Sequence, residues 1–320
     1  MTLYVIGGER DSYSESGTIT ESNSVGLFDS AYSRNSVKTT AGSFIDVDPG
    51  VTLTEYWVHW GGLNDVAFAT TPSVLMILKD SGGTDMFRFL YTASNTLQTQ
   101  YWNGSAWTNI GSTWAYGNAF NNWDLLVVPG ASGRFELYKN QVLFLSASAS
   151  MTAFSSLQVC RLNGPASGSA NFNWSQIKIQ STSTVNSRVY TSAPTSNGTD
   201  AGGTGTFSDV SEILLSDTTY WEFGTAGDKR STKAAARTLS RSCKGVGISF
   251  RAMRVDATGP QQIRPYLIIG GTRYYGSTFP LTTGFLGYRY LWTLNPSTGA
   301  AWTTSQANDA NMEMGLEAVA

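Results

Sequence analysis

The chain has 320 residues, of which 14% are charged and 12% are aromatic, and its formal net charge is −2. This length is enough for two domains with their own cores, and the near-neutral charge excludes general nucleic-acid binding, which requires a basic surface. Frequent glycine, serine and threonine beside the aromatic residues favour an all-β protein with many turns.

Export, membrane insertion and disulfide bonding are not expected. The N-terminal sequence MTLYVIGGERDS has no basic region before a long apolar run, and no apolar stretch approaches the roughly 20 residues of a membrane span. Cys160 and Cys243 lie far apart, which is typical of two buried free thiols in a protein made in a reducing cytoplasm. We therefore expect a soluble protein without a signal peptide.

A short apolar strand opens the chain and is followed by two glycines and a polar, acidic stretch. The strand consists of Leu3, Tyr4, Val5 and Ile6. Four apolar residues cannot form a core alone, so the strand must pair with a sheet edge, either in this chain or in a neighbour. We interpret residues 1–25 as an N-terminal arm and predict that Met1–Gly8 is an assembly element. Its deletion should then leave the folded domains intact and prevent assembly.

Residues 26–184 show the alternation and the turn residues of one antiparallel sandwich. Asn103-Gly104 joins two aromatic segments and is the strongest hairpin signal in this region. The predicted strands are Ser43–Val47, Thr54–Trp60, Val74–Leu78, Met86–Tyr91, Leu97–Trp102, Leu125–Val128, Arg134–Tyr138, Gln141–Leu145 and Phe172–Ile179.

The segment from Trp123 to Leu145 combines a tryptophan, an apolar run, a glycine-containing turn and the sequence LYKNQ. This order resembles the end of laminin-G and concanavalin-A-like domains, where W-x-x-h-x-h…G-x-h-x-h-Y-x-N-G-x-h spans three strands of a jelly roll. Gln141 stands where these families usually have glycine. The resemblance implies a jelly roll for residues 26–184. It also implies that rim carboxylates could bind calcium, and the loop candidates are Asp65, Asp80 and Asp85.

Residues 185–320 are predicted to form a second antiparallel sandwich in tandem with the first, with the boundary near Thr184. A polar, glycine-rich loop is expected at Thr195–Thr206 and a short helix at Thr304–Ala310. The predicted strands are Arg188–Tyr190, Ile213–Leu215, Thr219–Phe223, Gly247–Arg251, Ile263–Ile269, Thr272–Tyr275, Phe285–Trp292 and Met312–Val319.

A basic run is the densest charge feature of the second half. It is either a solvated loop or a contact for an acidic partner surface, such as the acidic arm of a neighbouring copy. Its members are Lys229, Arg230, Lys233, Arg237, Arg241 and Lys244.

The C-terminal stretch Leu291–Thr303 reads LWTLNPSTGAAWT, a strand that ends in a Pro/Gly turn between two tryptophans. It resembles the ending W-x-x-N-P-x-T-G-x-x-W-T, followed by a small helix and E-x-G-h, of structural proteins of tailed bacteriophages. Two further elements of that family appear in the same order, at Ser211–Tyr220 and at Ile268–Thr282. The resemblance covers most of residues 185–320 and implies a virion component without saying which one.

Residues that could carry catalysis are sparse. His59 is the only histidine, and its place between Trp57 and Trp60 favours a packed strand residue over a catalytic base. A zinc cluster or a Ser–His–Asp arrangement with a supporting histidine cannot be built from this set. Asp46 and Asp48 lie on one strand face, whereas a glycosidase needs two carboxylates across a cleft. We therefore predict no enzyme, no catalytic residue, no metal site and no cofactor, with calcium as a weak alternative.

Four aromatic side chains could stack on sugar rings if they face outward, although such residues usually fill the interior of a sandwich. They are Trp102, Trp107, Trp114 and Tyr116.

The resulting prediction is a non-enzymatic structural protein of a bacteriophage virion, on the tail, its fibre and adhesion apparatus, or the neck. A capsid decoration protein and a carbohydrate-binding receptor protein are the alternatives. The expected partners are other virion proteins, further copies of this chain and a host surface glycan, without nucleic acid or membrane insertion. We expect synthesis in the host bacterial cytoplasm and a final location in the virion.

Overall fold

The computed structural model describes residues 3–7, 14–22, 36–64, 73–93, 96–116, 119–167, 171–212, 216–235, 238–240 and 242–320. The chain divides into two compact units, Met1–Thr191 and Ser192–Ala320. The structure is 54% strand and 3% helix. The predicted fold class, an all-β protein of antiparallel β-sandwiches, is confirmed.

The first unit is a sandwich of two antiparallel sheets. Its strands are β1 (Leu3–Gly7), β2 (Ser14–Ser16), β3 (Ile19–Ser22), β4 (Ser36–Thr39), β5 (Phe44–Val47), β6 (Tyr56–Asn64), β7 (Val74–Lys79), β8 (Asp85–Ala93), β9 (Thr96–Trp102), β10 (Trp107–Asn109), β11 (Trp114–Ala115), β12 (Asn121–Val128), β13 (Gly130–Lys139), β14 (Val142–Met151), β15 (Val159–Asn163) and β16 (Phe172–Gln180).

The first sheet has the order β14-β13-β12-β6-β16-β4-β3, with β1 also on β16. The second sheet has the order β10-β9-β8-β7-β15-β5-β2, with β11 also on β9. Alternate side chains of both sheets meet in one core. The ring centres of Trp60 and Phe89 are 6.4 Å apart, and those of Phe87 and Phe135 are 5.9 Å apart. Because strands expose successive side chains on opposite faces, the same strands carry a second set of residues on the outer faces.

The hairpin between β13 and β14 explains the glutamine at the position of the family glycine. Asn140 and Gln141 both have positive φ angles, 50° and 76°. A two-residue turn with two positive φ angles matches the twist of the flanking strands, and asparagine tolerates this conformation better than most residues. The Asn140 side chain also accepts a hydrogen bond from the Asn122 backbone N–H at 2.9 Å. The turn therefore forms without glycine.

The N-terminal strand lies in a sheet of its own chain. β1 pairs with the last residues of β16, from Leu3 opposite Gln180 to Gly7 opposite Ile177, and the Leu3 side chain is buried. Strand β3 is part of the first sheet of this unit, and strand β2 is part of its second sheet. Residues 14–22 therefore belong to the sandwich and do not form a separate arm, while residues 8–13 and 23–25 lie outside the described residues.

Deleting residues 1–8 is expected to destabilise the first unit. The assembly hypothesis predicts instead that the deletion leaves the folded domains intact. The deletion removes backbone partners from β16 and a buried leucine, which should cost about 2 kcal/mol or more in the free energy of unfolding. Denaturant unfolding of the full and truncated chains measures this loss. Equal unfolding midpoints would show that the strand is dispensable for folding, as the assembly hypothesis for Tyr4–Ile6 requires.

The second unit is a smaller antiparallel sandwich. Its elements are β17 (Pro194–Ala201), a 3-10 helix (Phe207–Val210), β18 (Lys229–Ala234), β19 (Val246–Ala252), β20 (Gln262–Ile269), β21 (Thr272–Tyr275), β22 (Phe279–Pro280), β23 (Leu286–Trp292), α1 (Thr304–Ala307) and β24 (Glu313–Val319).

A sheet of order β17-β18-β24-β20-β21, with β22 on β20, packs against the two-stranded sheet β19-β23. Val246 and Trp292 of the small sheet meet Leu267 of the large sheet in the core, together with Trp302 and Met312. Cys160 and Cys243 lie in different units, and neither forms a disulfide bond. Cys160 is buried, whereas Cys243 is only half-buried, in contrast to the prediction of two buried thiols.

Several expectations for the start of the second unit were wrong. The polar stretch predicted as a loop contains strand β17, whereas Arg188–Tyr190 forms no strand. In Thr219–Phe223 only Glu222 pairs, in an isolated bridge with Thr204. The composition of β17 misled the prediction because its polar side chains bond to neighbouring strands rather than filling a core. Ile213–Leu215 lies outside the described residues.

The basic run is not a solvated loop in its first part, because β18 lies between β17 and β24. Lys229 pairs with Glu317 at 2.9 Å, and Lys233 lies 3.6 Å from Glu313. Arg230 donates hydrogen bonds to the carbonyl oxygens of Ala201, Gly202, Gly203 and Gly205. These three cations are therefore used inside the unit, while Arg237 and Arg241 lie outside the described residues. An assembly role for the run stays a prediction.

Candidate functional site

Two of the four proposed sugar-stacking residues cannot reach a ligand in this structure. Trp114 is 5% exposed and Tyr116 is 1% exposed. Trp114 packs edge-on against Phe89 at 5.1 Å between ring centres, and Tyr116 stacks on Trp123 at 5.5 Å. Trp114 of β11 and Tyr116, which follows that strand, both point into the core, so their proposed role in sugar stacking is wrong.

The other two tryptophans follow the strand alternation to the outer side of the second sheet, where Trp102 also packs in part against the core. Trp102 and Trp107 are opposite each other in the β9–β10 ladder, both half-buried, with ring centres 5.8 Å apart in an edge-to-face arrangement. The neighbouring residues Phe87, Phe89 and Tyr101 point into the core. Strand alternation thus explains why this part of the aromatic hairpin faces outward.

An arginine and two amides continue this surface across three strands. Arg88 is opposite Gln100, and Gln100 is opposite Asn109. The Arg88 guanidinium lies 3.9 Å from the ring centre of Trp107, and its Nε donates a 2.8 Å hydrogen bond to the Gln100 side chain. Gln100 in turn donates to the Asn109 side chain at 2.8 Å. We call Arg88, Gln100, Trp102, Trp107 and Asn109 the aromatic–arginine patch.

Arg88 has no ion-pair partner in the described part of the chain. Asp85 acts on it only at a distance and is itself paired with Lys79 at 2.5 Å. Burial lowers the pKa of Arg88, so the half-buried cation is incompletely compensated by its own fold.

A row of three ionisable side chains crosses the first sheet on its outer side. Asp124 of β12 is opposite His59 of β6, and His59 is opposite Lys178 of β16. His59 Nδ1 and Asp124 Oδ1 are 2.8 Å apart, and both side chains are fully buried. Lys178 Nζ donates to Ser187 Oγ in the segment that follows β16. We call Asp124, His59 and Lys178 the buried polar row.

The environment of the row sets its protonation states. Burial lowers the pKa of His59 to about 4, against the opposing effect of Asp124, and burial lowers the pKa of Lys178 to about 7. Burial works to raise the pKa of Asp124, but His59, a hydrogen bond from Thr184 and the charge of Lys178 together outweigh it, and the pKa of the carboxyl is lowered. At neutral pH His59 is therefore neutral and donates through Nδ1 to an ionised Asp124.

The row is surrounded by buried polar atoms that lack hydrogen-bond partners. They include His59 Nε2, Asn173 Nδ2, Ser175 Oγ, Gln176 Oε1 and Gln180 Oε1. Such atoms are uncommon in native interiors and concentrate at functional or strained positions. His59 Nε2 carries a free lone pair and could accept a proton, but in this conformation it has no access to solvent.

The sequence carries a signal for this row in the charged residues of two buried strands. Asp124 interrupts the apolar run of β12, and Lys178 alternates with the core residues Ile177 and Ile179 on a strand that is buried along its whole length. A charge inside a buried strand requires a partner, and here the partners come from strands that are distant in sequence.

The calcium candidates serve the local structure. Asp80 accepts hydrogen bonds from the backbone N–H groups of Gly82 and Thr84, both at 2.9 Å, and Asp85 pairs with Lys79. Asp65 lies outside the described residues. Within the described ranges no group of three or more possible metal ligands occurs. Asp46 binds Arg161, and Asp48 accepts from Gln158, so neither faces the other across a cleft.

Helix α1 and the other described helical segments are too short and polar to cross a bilayer, so the described ranges contain no membrane-spanning helix.

Comparison with known proteins gives a distant likeness to solved structures and nothing more. No family profile matches the chain, and no curated protein matches it. Among solved structures, an endo-β-1,4-glucuronan lyase from the fungus Trichoderma reesei is 12% identical, with a TM-score of 0.43 over 57% of this chain and 96% of that chain. The alginate lyase Aly36B is 11% identical, with a TM-score of 0.36 over 49% and 82%. The receptor binding domain of botulinum neurotoxin type G is 8% identical, with a TM-score of 0.41 over 56% and 47%.

These structures share a jelly-roll-like β-sandwich with this chain, and at such identities the likeness extends to the fold alone. The prediction that the chain is not an enzyme was wrong as an exclusion, because proteins described as glucuronan lyase and alginate lyase have this fold. The same likeness assigns no activity or substrate to this chain.

Proposed function

We propose that this chain is a structural component of the virion of a tailed bacteriophage, located on the tail, its fibre and adhesion apparatus, or the neck. The proposal is carried by the C-terminal motif that resembles structural proteins of these phages. In the fold, the residues that define this motif are the ones that build one compact corner of the second unit.

The polar residues of the motif close its turn. The Asn295 side chain accepts a hydrogen bond from the Ser297 backbone N–H at 2.8 Å, and its carbonyl accepts from Gly299 at 2.8 Å. Gly299 has a φ of 67°, which favours glycine. The two tryptophans are buried, and Trp302 Nε1 donates to the Trp292 carbonyl at 2.9 Å. Asn295, Gly299 and the two tryptophans thus each have a structural role in this corner, which supports a common fold with the phage proteins.

Two alternatives remain as proposals of lower rank. A capsid decoration protein is favoured by two sandwiches without a coiled-coil stalk, which suit a shell surface as well as a tail. A carbohydrate-binding receptor protein is favoured by the aromatic–arginine patch on the outer face of the second sheet. In each case the proposed partners are other virion proteins and further copies of this chain. Calcium binding at rim carboxylates stays a separate prediction.

The proposal is tested by the protein content of purified particles. Particles of the phage that encodes this chain are banded on a density gradient and probed with an antibody against the full chain. We expect a signal that follows the infectious band. A protein that stays only in the soluble fraction of the lysate would contradict a place in the virion.

A further inference from the structure

We propose that the aromatic–arginine patch binds an acidic polysaccharide, with Arg88 pairing with a sugar carboxylate and the Trp102–Trp107 pair contacting the sugar rings. This inference goes beyond a structural place in the virion and stands on the first unit alone. It names a binding surface and the chemical class of its ligand.

The first reason is the uncompensated charge of Arg88. Its Nε is used by Gln100, and its terminal Nη atoms donate to no described residue and face no described carboxylate within ion-pair distance. A guanidinium binds a carboxylate through two parallel N–H donors, and Nη1 and Nη2 remain available for that geometry. Stacking on Trp107 holds the guanidinium in place before a ligand arrives.

The second reason is a contrast with Arg161 on the same sheet. The Arg161 guanidinium lies 3.6 Å from the ring centre of Phe44, so it is stacked on an aromatic ring as Arg88 is. Its Nε and Nη2, however, donate to Asp46 at 2.8 Å and 2.7 Å. The fold thus neutralises one stacked arginine with its own carboxylate and leaves the other without one.

The third reason is the chemistry of the surrounding surface. A sugar ring offers apolar C–H faces, which suit indole rings, and hydroxyl edges, which suit amides such as Gln100 and the exposed Asn109. A single cation cannot hold nucleic acid, which requires several phosphate contacts. A small anion such as phosphate would leave the tryptophans unused. The combination therefore favours a carboxylated sugar polymer.

The test measures binding of the full chain to a panel of oligosaccharides that contain uronic or sialic acids, by isothermal titration calorimetry. Each is paired with its carboxyl-methylated form, which has the same rings and lacks the charge. We expect binding of at least one acidic oligosaccharide, and at least tenfold weaker binding of its methylated form. Arg88→Gln and Trp107→Ala should each weaken binding at least tenfold.

Arg161→Gln is the matched control, because it removes a stacked arginine that is already paired, and it should change the dissociation constant less than twofold. Near-ultraviolet circular dichroism of each variant confirms that the fold is retained. The inference is overturned if no acidic oligosaccharide binds, if the methylated forms bind equally, or if Arg161→Gln weakens binding as much as Arg88→Gln. Binding of polyglutamate or single-stranded DNA with the same dependence on Arg88 would overturn the assignment to a glycan.

Discussion

Lowering the pH from 7 to 4 is expected to reduce the free energy of unfolding of the first unit by about 3 kcal/mol through His59 alone. The pKa of this histidine is about 4 in the folded chain and about 6.5 in an unfolded one. Between these values the unfolded state binds a proton that the folded state does not, so stability falls as the pH falls. Below pH 4 both states are protonated, and the loss is complete.

The other members of the row titrate outside this window. The folded pKa of Lys178 is about 7 and its unfolded value is higher, so its contribution changes above neutrality. The pKa of Asp124 is lowered below an already acidic value, so its contribution changes in stronger acid. The positive charge of Arg188 also lowers the pKa of His59. The interval from pH 6.5 to 4 therefore reports mainly on His59.

Denaturant unfolding of the full chain at pH 7, 5.5 and 4 measures this effect, with His59→Gln as the control. Glutamine can still donate an N–H toward Asp124, but it does not titrate. We expect the wild-type chain to lose about 3 kcal/mol more than the variant over this range. Parallel pH dependences of the two proteins would show that His59 is not buried in neutral form.

Replacing Glu313 by alanine is expected to destabilise the second unit by about 3 kcal/mol. Glu313 of β24 is 2% exposed. Its Oε2 accepts hydrogen bonds from the Thr199 backbone N–H at 2.7 Å, from Thr199 Oγ1 at 3.0 Å and from Ser231 Oγ at 2.6 Å. Alanine leaves these donors without an acceptor in a buried environment, and the half-exposed Lys233 contributes little to the loss.

The carboxylate is needed because β17 pairs irregularly. The β17–β18 ladder shifts register between Asn197 and Ala201, so Glu313 reaches across β18 to bind Thr199. Gly198 lies against the Glu313 carboxylate, and a Cβ atom at position 198 would collide with this carboxylate and with Ser231 Oγ. Glycine and glutamate together fix the path of an otherwise polar strand.

Hydrogen exchange followed by mass spectrometry localises the effect of Glu313→Ala. Peptides that cover β17 and β18 should exchange faster in the variant, whereas peptides of the first unit should be unchanged. Glu313→Gln keeps one acceptor oxygen and should lose about 1 kcal/mol. Unchanged exchange in β17 would contradict the role of Glu313 in holding this strand.

The strands of the first unit were predictable where a period of two coincides with clear turn residues. The segment that became β12, β13 and β14 carries both signals, and its three strands appear in the predicted order. The C-terminal turn was predictable for a similar reason, because Asn295 and Gly299 have specific roles in a reversal.

The candidate sites depend on contacts that are distant in sequence. His59 meets Asp124 and Lys178 only because β6 lies between β12 and β16, and no local pattern encodes that order. The aromatic hairpin was visible in the sequence, but its register decides that Trp102 and Trp107 face outward while Trp114 is buried. Arg88 gained its significance from the absence of an ion-pair partner among the described residues, which only the three-dimensional arrangement can show.

The central proposal, a virion component of the tail, its adhesion apparatus or the neck, is tested most directly by immunogold electron microscopy of intact particles. Antibodies against the full chain should place gold on the tail, its fibres or the neck of particles, and should leave particles of an unrelated phage unlabelled. Gold distributed over the head would contradict the tail assignment in favour of capsid decoration. Particles that carry no gold, and whose denatured proteins also bind no antibody, would contradict the virion assignment itself.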